Sequence, residues 1–337
     1  MKGGIRILLA LILLWSLYWA LAGWGLRRNV EGWFAEQSAR GWQVEVADIS
    51  AEGRLSGYPF AHRTKVSLPT LADPQSGIAW RADWLSLESP AIWPGHQTLR
   101  FADGEQRLSW YDRTAVIATR GLAAQLSLAP GLALEVEEMR LSAEDWSLGN
   151  GRDLALSGAD LALSMVQAAQ PQDYRLSAEV HGFRPGAALR RLLRAAPELP
   201  QTFETLHLLA DVRFDHPWDR AALEERRPQP RRIDLERMEA HWGEMRLLAT
   251  GELDIDEAGV PSGELALQVE EWQGFLDLAV DTGLLAPGLR DQVGRVVAML
   301  ARASGNPEDL DITLRLSGGA VRIGPFPIGA APRILLR

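Results

Sequence analysis

Residues 205–215 read TLHLLADVRFD. Leu206, Leu208, Ala210, Val212 and Phe214 alternate with His207, Leu209, Asp211, Arg213 and Asp215, so four of the five intervening positions are polar. Successive side chains of a strand point to opposite faces. A strand that is apolar on one side only belongs to an antiparallel sheet with one wet face, because parallel sheets are covered on both. The same alternation recurs downstream in Met245, Leu247, Ala249, Leu253 and Ile255, in Leu265, Leu267 and Val269, and in Ile312, Leu314 and Leu316. It recurs upstream in IAWRADWLSL (Ile78, Trp80, Ala82 and Trp84 on one face), LALEVEEMRLSA, LALSGADLALSM and YRLSAEV. The turn DEAGVPSG separates two of these runs, as a hairpin requires.

Three segments instead show helical spacing, at 185–196, 271–285 and 287–303, each with one apolar stripe of the kind that lies on a sheet. The expected fold is therefore mainly β, of the β-rich α+β class, in which a long curved antiparallel sheet carries about three covering helices. The proline-rich, charged run HPWDRAALEERRPQPR, at 216–232 with its flanks, is the best hinge candidate.

The N-terminus has a different character. Residues 7–26, ILLALILLWSLYWALAGWGL, carry no charge, and at about 1.5 Å per residue a helix of that length reaches roughly 30 Å, the thickness of a bilayer's hydrocarbon. Tyr18, Trp19 and Trp24 lie in its far half, with Trp15 just before it, and amphipathic rings favour a membrane interface. Lys2, Arg6 and the Ala20-Leu21-Ala22 triplet also fit a signal peptide cleaved after Ala22. The apolar run continues through Gly23, Trp24 and Leu26, which favours an anchor.

Either reading exports the rest of the chain. The arrangement expected is a cytoplasmic tail at 1–6, a transmembrane anchor at 7–26, a membrane-proximal helix at 27–41 and an exported β-rich domain at 42–337. The protein would sit in the inner membrane by a single pass, with its bulk in the periplasm. Beyond the anchor, the fragment RLSGYPF at 54–60 interrupts the strand pattern. Gly57 permits unusual backbone angles and Pro59 removes a donor, which suits a corner or an edge.

Composition excludes several functions. A net charge of −9 over 337 residues, with a pI near 5.3, argues against nucleic acid, which needs a clustered surplus of cations. No cysteine is present, which removes disulfides, thiol catalysis and thiolate metal sites. The six histidines form no HExxH or HxH pattern, and no GxSxG, SxxK, P-loop or GxGxxG motif occurs. The carboxylates of ELDIDEAG lack the spacing of a calcium loop and read as a solvated hairpin turn. The eight tryptophans of the body fill cores more often than they line ligand sites. No catalytic residue, cofactor or metal ligand is expected, and the chain is read as non-enzymatic.

RLSGYPF, the following VSLPTLADPQSGIAWRADWLSLESPAIWPGHQTLRF, GELDIDEAGVPSGELAL and LRLSGGAVRIGPFPIGAAPRI together resemble an uncharacterised family of bacterial envelope proteins catalogued as a domain of unknown function. The resemblance covers residues 5–334, with landmarks at 56–60, 71–74, 93–99 and 324–332. The family's asparagine-rich variant of the Trp93-Pro94-Gly95 region is not evident. The resemblance implies an N-terminal anchor and a β-rich exported body. More distantly, the GxLxIDxxGxxxGxL pattern at 251–265 and the Gly-Pro-Phe-Pro-Ile-Gly run at 324–329 are similar to AsmA-like envelope proteins, whose long sheets form lipid-holding grooves.

Two roles follow for the apolar face made by Leu206, Leu208, Val212, Phe214, Met245, Leu247, Leu253, Ile255, Leu265, Leu267, Val269, Ile312, Leu314 and Leu316. In one it is a groove that binds or transfers lipid or another apolar ligand. In the other it is a sealed core, and the protein is an envelope scaffold that recruits a protein partner through strand edges or the 216–232 loop.

Overall fold

The computed structural model describes residues 2–336 except 53–56, 94, 112, 151–153, 187–199, 225, 282–287, 289, 292–293, 296 and 299–308. Strand accounts for 56% and helix for 18% of the chain, and every strand pairing with a defined register is antiparallel, so the protein is β-rich as the alternation requires. The chain divides into two compact units, the first comprising residues 1–128 and 148–152 and the second 129–147 and 153–337. The proposed hinge segment 216–232 lies inside the second.

Unit 1 begins with α1 (Lys2–Ala39), in which the apolar stretch and the expected membrane-proximal helix run on as one. Nothing between Arg27 and Gly41 breaks a helix, so the two segments fuse. The helix is long and apolar enough to cross a membrane, and its leucines and isoleucines from Ile5 to Leu21 are largely exposed.

Ten strands follow: β1 (Gln43–Glu45), β2 (Asp48–Ala51), β3 (Ala61–Ser67), β4 (Thr70–Asp73), β5 (Ile78–Arg81), β6 (Trp84–Pro90), β7 (His96–Phe101), β8 (Gly104–Trp110), β9 (Arg113–Arg120) and β10 (Ala123–Leu128). Their pairing resolves them into one meander whose strands each bend midway. On one side of the bend β2, β3, β6, β7 and β10 are neighbours in that order, and on the other β1, β4, β5, β8 and β9.

Backbone bonds cross this line of bends, from Leu68 N–H to Asp83 O at 2.8 Å and from Ala82 N–H to Pro69 O at 3.2 Å. The IAWRADWLSL run, expected as one strand, is therefore two, bent between Ala82 and Asp83. The small, buried Ala82 and Ala102 let the layers close at the crease. The turn at 57–60 leads into β3. Gly57 has φ +91°, and a Cβ there would lie 2.6 Å from Ala61 O, so only glycine fits.

Unit 2 is a long meander: β11 (Val136–Gly149), β12 (Leu154–Gln167), β13 (Asp173–Arg184), β14 (Phe203–Phe214), β15 (Pro230–Trp242), β16 (Met245–Ile255), β17 (Pro261–Glu270), β18 (Asp309–Ser317), β19 (Ala320–Ile323) and β20 (Phe326–Ala330), each beside the next. Helix α2 (Arg220–Glu224) lies in the β14–β15 connection, and α3 (Trp272–Asp281) occupies the middle of the second expected helix. Most of the expected helix at 185–196 lies outside the described residues. Of that at 287–303, the described residues 290–291, 294–295 and 297–298 are helical.

Candidate apolar binding face

Register places all fourteen apolar positions named above on one face of unit 2. Residues directly opposite on antiparallel strands share a face, so side chains can be followed in rows across the sheet. One row runs Leu163, Ala178, Leu208, Met238, Ala249, Leu267 and Ile312 from β12 to β18. The next runs Met165, Leu176, Ala210, Leu235, Gly251, Leu265 and Leu314. At about 4.8 Å per strand, seven strands extend each row for roughly 30 Å.

Both ends of this face are covered. At one end Trp272 of α3 packs with Val269 and Leu310, joined by Leu247, Leu276, Val297 and Ala298, and Gly274 rests on the Met245 sulphur. Trp242 is buried beside Phe203, 4.7 Å away and stacked, and donates its indole N–H to Pro200 O. At the other end Tyr174, Val212, Phe214, Leu253 and Ile255 are buried. Tyr174 and Trp218 both stand edge-on to Phe214, at 5.8 and 5.7 Å. The Trp218 N–H donates to the Tyr174 hydroxyl. The segment after β14 is fastened by Asp215, which holds His216 and Arg226 and accepts from Gln229 N–H.

Between these ends the two rows are only partly covered among the described residues: Met165, Ala210 and Ala249 are buried and Ile312 packs against the α3 cluster, while other members keep exposed surface. Of the fourteen positions, Leu208, Leu265, Leu267, Ile312 and Leu314 in the two rows and Leu206 and Leu247 in the row on the α3 side are half-buried, whereas Val212, Phe214, Met245, Leu253, Ile255, Val269 and Leu316 are buried. Leu163 keeps 36% and Met238 43% of its surface exposed, both in the first row. Gly251 adds no side chain to the second. The result is a shallow apolar trough crossing the strands, with α3 on one bank and the Tyr174–Trp218 cluster on the other.

The opposite face is saturated with ion pairs set directly across strands. Arg213 grips Asp173 through two bonds at 2.8 and 2.9 Å, Arg175 grips Asp211 at 2.9 and 2.7 Å, and Arg315 meets Glu264 at 2.6 Å. Such exposed pairs add little stability. They do keep that face wet, so the apolar face alone can receive an apolar ligand. Glu239, on the polar side, is buried, and burial alone would raise its pKa. Hydrogen bonds from His241, Arg246 and Arg237 outweigh that and hold it down to about 2. Among the described residues, no group of three or more histidine or acidic side chains could hold a metal ion.

Strand β15 contributes Ile233, Leu235, Met238, Ala240 and Trp242 to the same face, and alternation did not reveal them. Between Leu235 and Met238 the ladder shifts register, so the strand carries one extra residue against β14 and β16. The bulge reverses the parity of the side chains. Read at strict period two, IDLERMEAHW gives two short runs out of phase. The available signal was the three-residue step from Leu235 to Met238.

Fold and site together define a β-rich bacterial protein with a long apolar N-terminal helix and one partly open apolar sheet face. The chain belongs to the family described as uncharacterized protein conserved in bacteria (DUF2125), which it matches over residues 19–332. No curated protein and no solved structure matches it, and the similarity to AsmA-like proteins gains no support from these comparisons.

Proposed function

We propose that the protein is a non-enzymatic component of the cell envelope, anchored in the inner membrane by α1 with its body in the periplasm, that binds or transfers lipid on the apolar face of unit 2. The observation that carries the reading is the pair of half-open rows through Leu208 and Leu265, bounded at both ends by buried clusters. An acyl chain occupies about 15 Å of a 30 Å bilayer core, so a trough roughly 30 Å long has room for one or two chains end to end. Each buried methylene contributes about 0.8 kcal/mol, which retains a chain without any catalytic group. The apolar helix supports a location beside the membrane that supplies such ligands.

Native mass spectrometry of the detergent-extracted protein tests this reading. Co-purifying lipid at defined stoichiometry supports it. A clean apo mass with a stoichiometric protein partner would instead assign the face to a closed core and the protein to a scaffold.

A further inference from the structure

The middle of the apolar segment carries four side chains that a simple anchor does not need. Trp15, Ser16 and Tyr18 reach two loops at one end of unit 1, and Trp19 reaches the first residue of β3 beside them. The Trp15 indole donates to Pro59 O at 3.2 Å and the Trp19 indole to Ala61 O at 3.0 Å. The Tyr18 hydroxyl donates to Ala91 O at 2.9 Å, and Ser16 Oγ lies 2.9 Å from the Tyr58 hydroxyl.

Backbone at bilayer depth survives only if its polar groups are satisfied within the protein. Several backbone groups of the loops meet that condition, although the His62 Nε2 and Ser89 Oγ beside them have no partner among the described residues. Pro59 and Pro90 have no N–H, the Ala91 N–H donates to Phe60 O at 2.8 Å, and the helix caps three carbonyls. Outward from this junction point Phe60, 80% exposed, and Ile92, 76% exposed.

Trp15 to Trp19 lie about 12–18 Å along the segment from Ile7, close to its midpoint. Whatever depth those residues occupy, the two loops share. We propose that the 57–60 turn and the 91–92 corner form an insertion tip, with Phe60 and Ile92 among the acyl chains of the leaflet next to the body. This rests on α1 being a membrane anchor. It goes further, in that part of the β body is submerged and unit 1 is held at a fixed height against the bilayer.

The chain has no cysteine, so single cysteines can be introduced cleanly. Full-length Phe60→Cys, Ile92→Cys, Leu9→Cys and Asp83→Cys, each labelled with an environment-sensitive dye, are reconstituted into phosphatidylcholine–phosphatidylglycerol vesicles carrying nitroxide on the acyl chains. Asp83 is exposed and adjoins the end of β6 remote from Pro90. The labels at 60 and 92 should lose at least half their emission while that at 83 keeps most of its own. Labels at 60 and 92 as unquenched as that at 83 would overturn the tip. The label at Leu9 separately reports whether α1 is in the bilayer, so the two readings fail independently. Efficient disulfide cross-linking between chains through position 60 would assign the patch to a second copy and also overturn the proposal.

Discussion

Met238 and Met245 sit on neighbouring strands and on the same face, yet in opposite settings, and truncating each to alanine separates an open trough from a sealed core. Met245 is buried under α3. Removing a buried methionine leaves a cavity as well as losing transfer energy, and costs about 2–5 kcal/mol. Full burial of a methionine is worth about 1.5–3 kcal/mol, so Met238, with 43% of its surface exposed, retains about 1–1.5 kcal/mol and leaves no closed cavity. For a unit of this size each kcal/mol moves Tm by about 2–4 °C, so Met245→Ala should lower Tm by about 4–20 °C and Met238→Ala by about 2–6 °C. Thermal melts of the detergent-solubilised full chain, followed by tryptophan fluorescence, measure both. Equal losses would mean that Met238 is packed as tightly as Met245, and the trough would not exist.

Other perturbations reach different parts of the account. The Glu239 carboxylate, held near pKa 2 against an ordinary 4.5, contributes stability that is fully present above pH 4.5 and is lost as pH falls towards 2. Acid unfolding of Glu239→Gln should therefore be flatter across that window, and an unchanged slope would show that the cluster of cations is not coupled to folding. Gly263 has φ +147°, and a Cβ there would lie 2.1 Å from Glu252 O, so Gly263→Val should cost about 1–3 kcal/mol in backbone strain and show it as a lowered Tm. A phosphatase that is active only outside the cytoplasm, fused after Arg28, should be active. A fluorescent cytosolic reporter at the same place would contradict export.

Much of this was legible in the residues because burial on one face writes itself into the chain at period two. Leu206 to Phe214 and Met245 to Ile255 needed no tertiary information to be placed on strands. What alternation could not reveal were the places where the period is broken on purpose. The extra residue between Leu235 and Met238 hides five side chains of the apolar face, two of them in the trough, because parity changes within one strand. The bend between Ala82 and Asp83 splits a run whose pattern reads straight through, and it is accompanied by hydrogen bonding to Leu68 and Pro69 in the β3–β4 connection. Likewise Trp15, Tyr18 and Trp19 fit an interfacial belt in sequence. Their engagement with the carbonyls of Pro59, Ala61 and Ala91 depends on loops more than forty residues away. Openness of the face is a property of coverage, which alternation does not encode.

The most direct test places a photoreactive amino acid at four positions of the membrane-embedded full chain. Leu208 and Leu267 lie in the open row, and their neighbours Leu209 and Gln268 face the other way. Irradiation should give lipid adducts at 208 and 267 and few at 209 and 268. Equal labelling at all four, or protein adducts alone at 208 and 267, would contradict a lipid-holding apolar face.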